Sequence, residues 1–378
     1  MKPNGYALSD TGLKRSENED FYLMDDELNL FVVCDGVGGH AAGGLASELC
    51  ARTLRQTVQE GKSYIQRYHA DRSLTNRAII AGLIQRAVIT ANEKIQEMAD
   101  VDVTKRGMCT TVVCLLQLDD FAVLGHVGDS RIYLSRGGKL HQLTEDHKYA
   151  VEMVKRGILK PEEASRSPQG NVLTRAVGLS PTIQVDTLQI ETMPGDMFML
   201  CTDGLYKYTD RAEMLALLSH EVHQIPSQSI KYARDRGGSD NITALVVKME
   251  GEQKRAQNDV IDVLKKTEII MKIPVFKYLS YQEVTKVLSI AQVKRFIRGA
   301  IMVKEGDPSD EMYIIADGTA DVMKKDVKIV SRKKGDVFGE MGIFDRAPRS
   351  ATVVASSVVV AITLGSKELL ALLRQESQ

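Results

Sequence analysis

Apolar residues in the first 250 positions gather in short unbroken runs, and these alternate with stretches of wider, helix-like spacing. The runs 30–34 (LFVVC), 112–116 (VVCLL), 197–201 (MFMLC) and 242–247 (ITALVV) predict buried strands. Segments 42–60 and 75–98 space their apolar residues with no proline or turn cluster, which predicts helices. Residues 249–258 (MEGEQKRAQN) are polar, lack an apolar face and predict a linker. After it, 259–271 and 281–290 read as helices. Alternating stretches such as 312–315 follow, punctuated by Gly299, Gly306, Gly318, Gly335 and Gly342, and they predict a small β-barrel or roll. One more helical segment covers 367–373.

The length, 378 residues, fits two domains, expected at 1–250 and 274–378 with a linker and connecting helix at 251–273. Hydrophobic residues at 43% and charged residues at 26% exclude a disordered or collagen-like chain. No apolar run approaches the ~18 residues of a membrane span. The first residues lack the apolar core of a signal peptide, so a cytoplasmic protein is expected. A net charge of -1 gives no global basic field for nucleic acid. Residues 251–378 hold 21 basic and 17 acidic residues, leaving 28 and 33 for residues 1–250. The opposite signs suggest two domains, with acidic chemistry in the first.

Five cysteines (Cys34, Cys50, Cys109, Cys114, Cys201) form no C-x-x-C pair, which favours reduced, buried thiols. A cysteine phosphatase needs an arginine six residues after its nucleophile. The residues there are His40, Gln56, Leu115, Asp120 and Lys207, so that chemistry is excluded.

Aspartates stand at the ends of four predicted strands. Asp35 follows LFVVC, Asp129 follows VLGHVG, Asp203 follows MFMLCT and Asp240 precedes ITALVV. Aspartate is disfavoured in strands and costly to bury unpaired. If the strands share one sheet or sandwich, their carboxylates converge at a rim and need a cation. All-oxygen ligands select a hard divalent ion, Mg²⁺ or Mn²⁺. Two such ions would activate a water and hold a phosphoryl or carbonyl oxygen. The plainer alternative is that each aspartate caps a strand or turn. Arg15, within RSENED, suits a two-point phosphate clamp, or else a surface ion pair. The run 36–41 (GVGGHA) fits a dinucleotide fingerprint, but no second strand ending in an acid follows at ~20 residues, and it is set aside.

Together these motifs resemble the metal-dependent serine/threonine protein phosphatases of the PPM (type 2C) class in their bacterial form. The ordered set is SDTGLKRSENEDF (9–21), VVCDGVGGHAAGG (32–44), GMCTT (107–111), HVGDSRIY (126–133), LTEDH (143–147), NVLTRAVG (171–178), LCTDGL (200–205) and GGSDNIT (237–243). The resemblance implies an α+β fold, an αββα sandwich with metals at the sheet rim. It implies that Asp35 bridges two Mn²⁺ or Mg²⁺ ions and that Gly36 ligates through its carbonyl. Asp203 and Asp240 would complete one shell, Glu19 and Asp20 would act on the other ion, and Asp129 would help hold a weaker third. Arg15 would grip the substrate phosphate. His40 would protonate the leaving oxygen, or else serve as a structural loop histidine. Gly44 stands where many relatives carry Glu, and Cys109 replaces a common Gly; neither removes a ligand. Residues 146–170, including Pro161, would form a variable flap.

In the second domain, FGEMGI (338–343) precedes PRSAT (348–352). Amides beside Gly339 and Gly342 with one arginine make an anion nest, and Glu340 suits a sugar hydroxyl. The alternative is an internal Glu340–Arg349 ion pair. Residues 274–378 resemble the cyclic-nucleotide-binding domain family through Pro274, Lys304–Asp307, Tyr313–Ile315, Asp317–Gly318 and 338–355. By that resemblance Glu340 takes the ribose hydroxyl and Arg349 the cyclic phosphate, while Gly339, Met341, Ser350 and Ala351 line the cassette. Ser350 does not supply the threonine often associated with cGMP, so cAMP is favoured. The family's closing helix over the purine is not expected before Gln378, so base capping would come from elsewhere.

Two functions are therefore weighed. One is a phosphoserine/phosphothreonine phosphatase acting on phosphorylated proteins and tuned by a cyclic nucleotide. The other is a nucleotide-responsive module that docks phosphoproteins with little catalysis. The complete carboxylate set favours the enzyme.

Overall fold

In the computed structural model, which describes residues 1–37, 42–160, 163, 169–251, 263–274, 276–341 and 347–375, the chain divides into two units, Met1–Gln253 and Lys254–Gln378. The first unit holds eleven strands among its described residues: β1 (Lys2–Asp10), β2 (Asp20–Asp25), β3 (Leu30–Val37), β4 (Cys109–Thr110), β5 (Val112–Leu118), β6 (Phe121–Val127), β7 (Arg131–Arg136), β8 (Lys139–Gln142), β9 (Asp186–Glu191), β10 (Met197–Cys201) and β11 (Ile242–Glu250). They form two antiparallel sheets, ordered β1-β11-β10-β7-β8 and β2-β3-β5-β6-β9, with β4 paired to β3.

Alternation along the strands explains the layering. Leu30, Val32 and Cys34 of β3 pack with Cys50 and Leu54 of α1 (Ala42–Glu60), and with Ile84 and Val88 of a long helix, Leu74–Val101. Ser73 caps that helix by accepting the N–H of Asn76. On the other sheet, Met199, Cys201, Ala244 and Val246 pack under Met214, Ile225, Ile230 and Ala233 of helices Arg211–Leu217 and Ile225–Asp235. The remaining face of β3 points inward: Phe31 is fully buried, and a Cβ on Gly5 of β1 would lie 2.6 Å from its ring. Glycine at position 5 lets the two sheets close on Phe31, whose burial contributes about 1.5–3 kcal/mol. The layers are helix, sheet, sheet, helix, the expected αββα sandwich.

The predicted strands are present, 197–201 with the predicted bounds and the other three longer. β5 continues through Gln117, a polar residue buried at 1% exposure, because its amide donates to Thr192 Oγ1 at 2.8 Å and to the carbonyls of Leu118 and Asp119. The helix predicted at 75–98 spans Leu74–Val101. After α1 and the helices that follow it, the next described strand is β4 at Cys109, which supports setting aside the dinucleotide fold. Residues 252–258 of the predicted linker lie outside the described residues, as does Pro161.

The second unit is a β-roll with flanking helices. Its sheets are Gln292–Phe296, Val359–Gly365, Glu311–Asp317 and Val337–Phe338 in one, and Ile301–Val303, Thr352–Ala355, Thr319–Lys324 and Val327–Lys333 in the other. In the strand Glu311–Asp317, Met312, Ile314 and Ala316 pack with Ile269, Ile270, Val284 and Val287 of the helices Val263–Lys272 and Tyr281–Ile290. Tyr313 and Ile315 face the opposite way, packing with Ala320, Val353 and Ala361. The helix Tyr281–Ile290 starts in a capping box formed by Ser280 and Glu283.

Candidate metal centre

The carboxylates predicted at strand ends meet at one edge of the sandwich. β2 and β3 place Asp20 directly opposite Asp35 in their register. β10 delivers Asp203 at the start of a short helix, Asp203–Tyr206, and Asp240 precedes β11, the neighbour of β10. Gly204 permits this approach, because a Cβ there would lie 1.9 Å from the carbonyl oxygen of Asn241. Gly36 is equally constrained, with Gly43 O at 2.2 Å and Glu19 O at 2.7 Å from a Cβ built on it. Such distances exclude any side chain and keep the Asp35-Gly36 backbone against Glu19.

Electrostatics at this edge call for a cation. Burial pushes Asp35 well above the ordinary carboxylate range, and the charges of Asp20, Asp203, Asp129 and Asp240 push it further. Asp20, 7% exposed, is pushed up to about 7 by burial, although Thr202 and Thr243 hydroxyls donate to its Oδ2 at 2.9 and 2.7 Å. Burial also raises Asp203 and Glu19. Two oxygens, Glu19 Oε1 and Asp20 Oδ1, are buried without any hydrogen-bond partner. Orphaned, mutually repelling oxygens at one rim fit a hard divalent cation, and the absence of soft ligands among these acids fits Mg²⁺ or Mn²⁺.

The remaining predicted residues are held differently. Arg15, half exposed, makes a two-point ion pair with Asp240, Nε to Oδ1 at 2.9 Å and a second nitrogen to Oδ2 at 3.1 Å. It thus sits at the rim beside the acids, in the surface pairing that was one of its two readings. Asp129 lies behind the cluster, 5% exposed, with Lys148 Nζ 2.6 Å from Oδ2. His40 lies outside the described residues.

The second unit brings its cassette together around Arg349, 8% exposed. Its guanidinium donates to the carbonyls of Glu311 at 2.7 Å and Gly339 at 3.3 Å. Its backbone joins the predicted 304–307 segment, since Arg349 O accepts from Gly306 N at 2.8 Å and Arg349 N donates to Asp307 O at 2.9 Å. Gly339 has φ of 79°, and a Cβ there would lie 2.3 Å from the guanidinium. Glu340, Met341 and Ser350 are exposed and Ala351 is half-buried. Among the described residues no ion pair joins Glu340 to Arg349; backbone carbonyls hold the arginine instead. Gly342 lies outside the described residues.

Residues 14–241 match the family described as Protein phosphatase 2C, which is more than half of the chain. The chain belongs to the protein phosphatase 2C family. Its enzyme class is protein serine/threonine phosphatase. Residues 293–376 match the cyclic nucleotide-binding domain. Protein phosphatase PhpP of Streptococcus pneumoniae is 32% identical over 258 residues, covering 65% of this chain and 97% of that protein. The Mycobacterium tuberculosis serine/threonine phosphatase PstP/Ppp superposes with a TM-score of 0.58 at 30% identity, covering 66% of this chain and all of that one. A catalytic domain of PstP solved with two manganese ions gives a TM-score of 0.56 at 30% identity, covering 66% and 99%.

This phosphatase also uses residues that sequence reasoning gave no role. Asn241 accepts Glu19 N–H at 2.9 Å and donates to the carbonyls of Thr11 and Glu17, both at 2.9 Å, which pins the loop carrying Arg15. Thr111 donates its backbone N–H to Asp35 O at 2.8 Å, and its hydroxyl accepts Asp35 N–H at 3.1 Å. Lys207 Nζ lies 2.5 Å from Asp203 Oδ2. The adjoining Asp-Asn and Thr-Thr pairs in the motifs were the available signal, and for Lys207 its position four residues after Asp203.

His126, His147 and Asp186 bring ligand-type atoms within 4.8 Å of one another. Gly128 N–H donates to His147 Nδ1 at 3.0 Å, so a neutral ring carries its hydrogen on Nε2, facing Asp186 Oδ2 at 3.2 Å. Arg175 adds a cation 3.0 Å from Asp186 Oδ1. The two histidines and the Asp186–Arg175 ion pair support the Gly128–Asp129 turn, and this neutral His147 has no lone pair left for a metal.

Proposed function

We propose that this phosphatase hydrolyses phosphoserine and phosphothreonine in proteins at a pair of Mn²⁺ or Mg²⁺ ions, and that a cyclic nucleotide, cAMP in preference to cGMP, regulates it through the C-terminal unit. The observation that carries the first part is the pair of buried, partnerless oxygens, Glu19 Oε1 and Asp20 Oδ1, beside Asp35. The manganese of the PstP catalytic domain supports the same choice of ion. Glu19, Asp20, Asp35, the Gly36 carbonyl, Asp203 and Asp240 would hold the cations. Bound there, the pair would supply an activated water and neutralise phosphoryl charge. Arg15 gives the rim a two-point donor suited to a phosphate once Asp240 turns to a cation. His40 is the proton donor assigned to the leaving oxygen.

The second part is supported by Arg349, a buried guanidinium beside Gly339, and by the exposed Glu340 next to it. A guanidinium and a carboxylate on adjacent backbone suit a phosphate joined to a ribose. Regulation then requires that the nucleotide bind two states of the chain unequally.

The test is hydrolysis of p-nitrophenyl phosphate and of a phosphothreonine peptide by the full chain, with Mn²⁺ and with a chelator, then titrated with cAMP and cGMP. Activity lost to the chelator and restored by Mn²⁺ is expected. Activity indifferent to the chelator overturns the metal reading, and rates that ignore both nucleotides overturn the regulatory one.

A further inference from the structure

Asp129 pairs with a buried ammonium, whereas the cations on Asp203 and Asp240 reach solvent. Asp129 Oδ2 takes the Lys148 ammonium at 2.6 Å and the Tyr206 hydroxyl at 3.1 Å. The ammonium also donates to that same Tyr206 oxygen at 3.1 Å, closing a triangle, and Asp146 Oδ2 stands 3.9 Å away. The Lys148 side chain is only 10% exposed. Its backbone is fixed on both sides: His147 N–H donates to Gly128 O at 2.8 Å, Tyr149 N–H to Val172 O at 2.9 Å, and Lys148 bridges Leu173. The tyrosine is held in turn by Arg131, whose guanidinium stacks 3.6 Å from its ring centroid and pairs with Asp146 at 2.8 Å through two nitrogens.

This is a built arrangement, and it contrasts with Glu19 Oε1 and Asp20 Oδ1, which have no hydrogen-bond partner. A divalent ion drawn to Asp129 Oδ2 would lie against a buried ammonium of like charge. Moving that ammonium aside would strand it, and Tyr206 with it, in a low-dielectric interior. Lys207 at Asp203 differs, because its side chain is 38% exposed and can turn to water when a cation binds.

We propose that the Lys148 ammonium permanently occupies the place to which Asp129 would otherwise draw a third divalent cation, so that this phosphatase loads two ions and carries the third charge on its own chain. The proposal rests on the two-cation reading above. It replaces the role that the family resemblance implied for Asp129. An ammonium on the chain cannot be diluted away, so activation by metal should be complete once two ions are bound.

The test counts Mn²⁺ bound per full chain, from the free-ion signal in electron paramagnetic resonance. Wild type should saturate at two ions, and Asp129→Asn should also bind no more and no fewer than two. Lys148→Ala should gain a third, weaker ion that the double variant Lys148→Ala/Asp129→Asn loses, while Lys148→Arg should stay at two. A wild type that binds three ions and drops to two with Asp129→Asn overturns the proposal. So does a folded Lys148→Ala that stays at two. If Lys148→Ala fails to fold, the comparison of wild type with Asp129→Asn decides alone. Fewer than two ions on wild type overturns the metal-centre reading itself, and this proposal with it.

Discussion

The side-chain oxygen of Asn241 accepts the backbone N–H of Glu19 at 2.9 Å, joining residues 222 positions apart in the chain. The same amide donates to the carbonyls of Thr11 and Glu17, so one buried side chain fixes both ends of the loop that carries Arg15. Asn241→Ala removes all three bonds. The expected cost is about 2–3 kcal/mol of stability, with at least a tenfold loss in kcat/KM on p-nitrophenyl phosphate. Thermal melts and steady-state rates on the one variant check both; an unchanged rate would detach the loop from catalysis.

Asp35→Asn should abolish metal-dependent hydrolysis while stabilising the metal-free protein. Burial and neighbouring acids hold the folded Asp35 and Asp20 carboxyls above the unfolded carboxylate range. A raised acid binds its proton more tightly when folded, so each such group withdraws stability as pH climbs from about 4 through its folded value, which for Asp20 is about 7. Removing Asp35's charge therefore makes the gap between variant and wild type grow as pH rises over that window. Denaturant melts in chelator from pH 4 to 8 measure the gap, and a gap that narrows with pH contradicts the expectation.

Gly204→Ala tests the tight approach of β10 to β11. A Cβ would lie 1.9 Å from Asn241 O, a backbone atom, so the short helix carrying Asp203 must shift. A destabilisation of roughly 2 kcal/mol or more, typical of overpacking, is expected together with loss of Mn²⁺ binding. Calorimetry with Mn²⁺ is the decisive measurement, because intact binding would mean that the shift does not reach Asp203.

His126 is fully enclosed, and burial, with the neighbouring His147, depresses it to about 3. Between that value and the unfolded ~6.5, the unfolded chain holds one more proton than the fold. Stability from this group is complete above pH 6.5 and declines by ~1.4 kcal/mol per unit as pH falls. His126→Gln removes that proton. The stability difference between wild type and variant should shrink from pH 7 to pH 5, as read by urea melts at both, and a constant difference would show that His126 does not titrate in this way.

Glu340→Ala should weaken cAMP binding to the full chain by tenfold or more and leave the melting temperature within a degree or two, because Glu340 is exposed. Arg349→Ala should lose binding and also destabilise, since its guanidinium anchors the Glu311 and Gly339 carbonyls. Calorimetric titration of both variants separates the roles. Binding that survives Glu340→Ala removes the ribose contact from the reading.

The strands and the acids at their ends were legible because fully buried strands leave unbroken apolar runs, and a charged residue that interrupts such a run stands out. The span 42–60 was legible as a helix for the related reason that its apolar spacing is uninterrupted. Gln117 was not legible as strand, because its burial depends on Thr192, seventy-five positions away. Lys148 was hidden, since an isolated lysine carries no periodic signal and its pairing with Asp129 exists only in the folded domain, whereas Lys207 stands four residues after Asp203, a helical spacing visible in the sequence. Arg15 was read as a clamp or an ion pair; the fold supplies its partner, Asp240, from the far end of the domain.

β1 and β11 pair residue for residue from Lys2↔Glu250 to Asp10↔Ile242, so the catalytic unit is sewn shut by the strands at its two extremes. Asp240 and Asn241 come from one side of that seam and Arg15 and Glu19 from the other. During synthesis the carboxylate rim therefore cannot assemble until β11 has left the ribosome. A nascent chain is catalytically silent by topology, and contacts of such long sequence separation make the closing step a slow one. Deleting β1 would remove no proposed metal ligand, yet it should leave the rim without its frame.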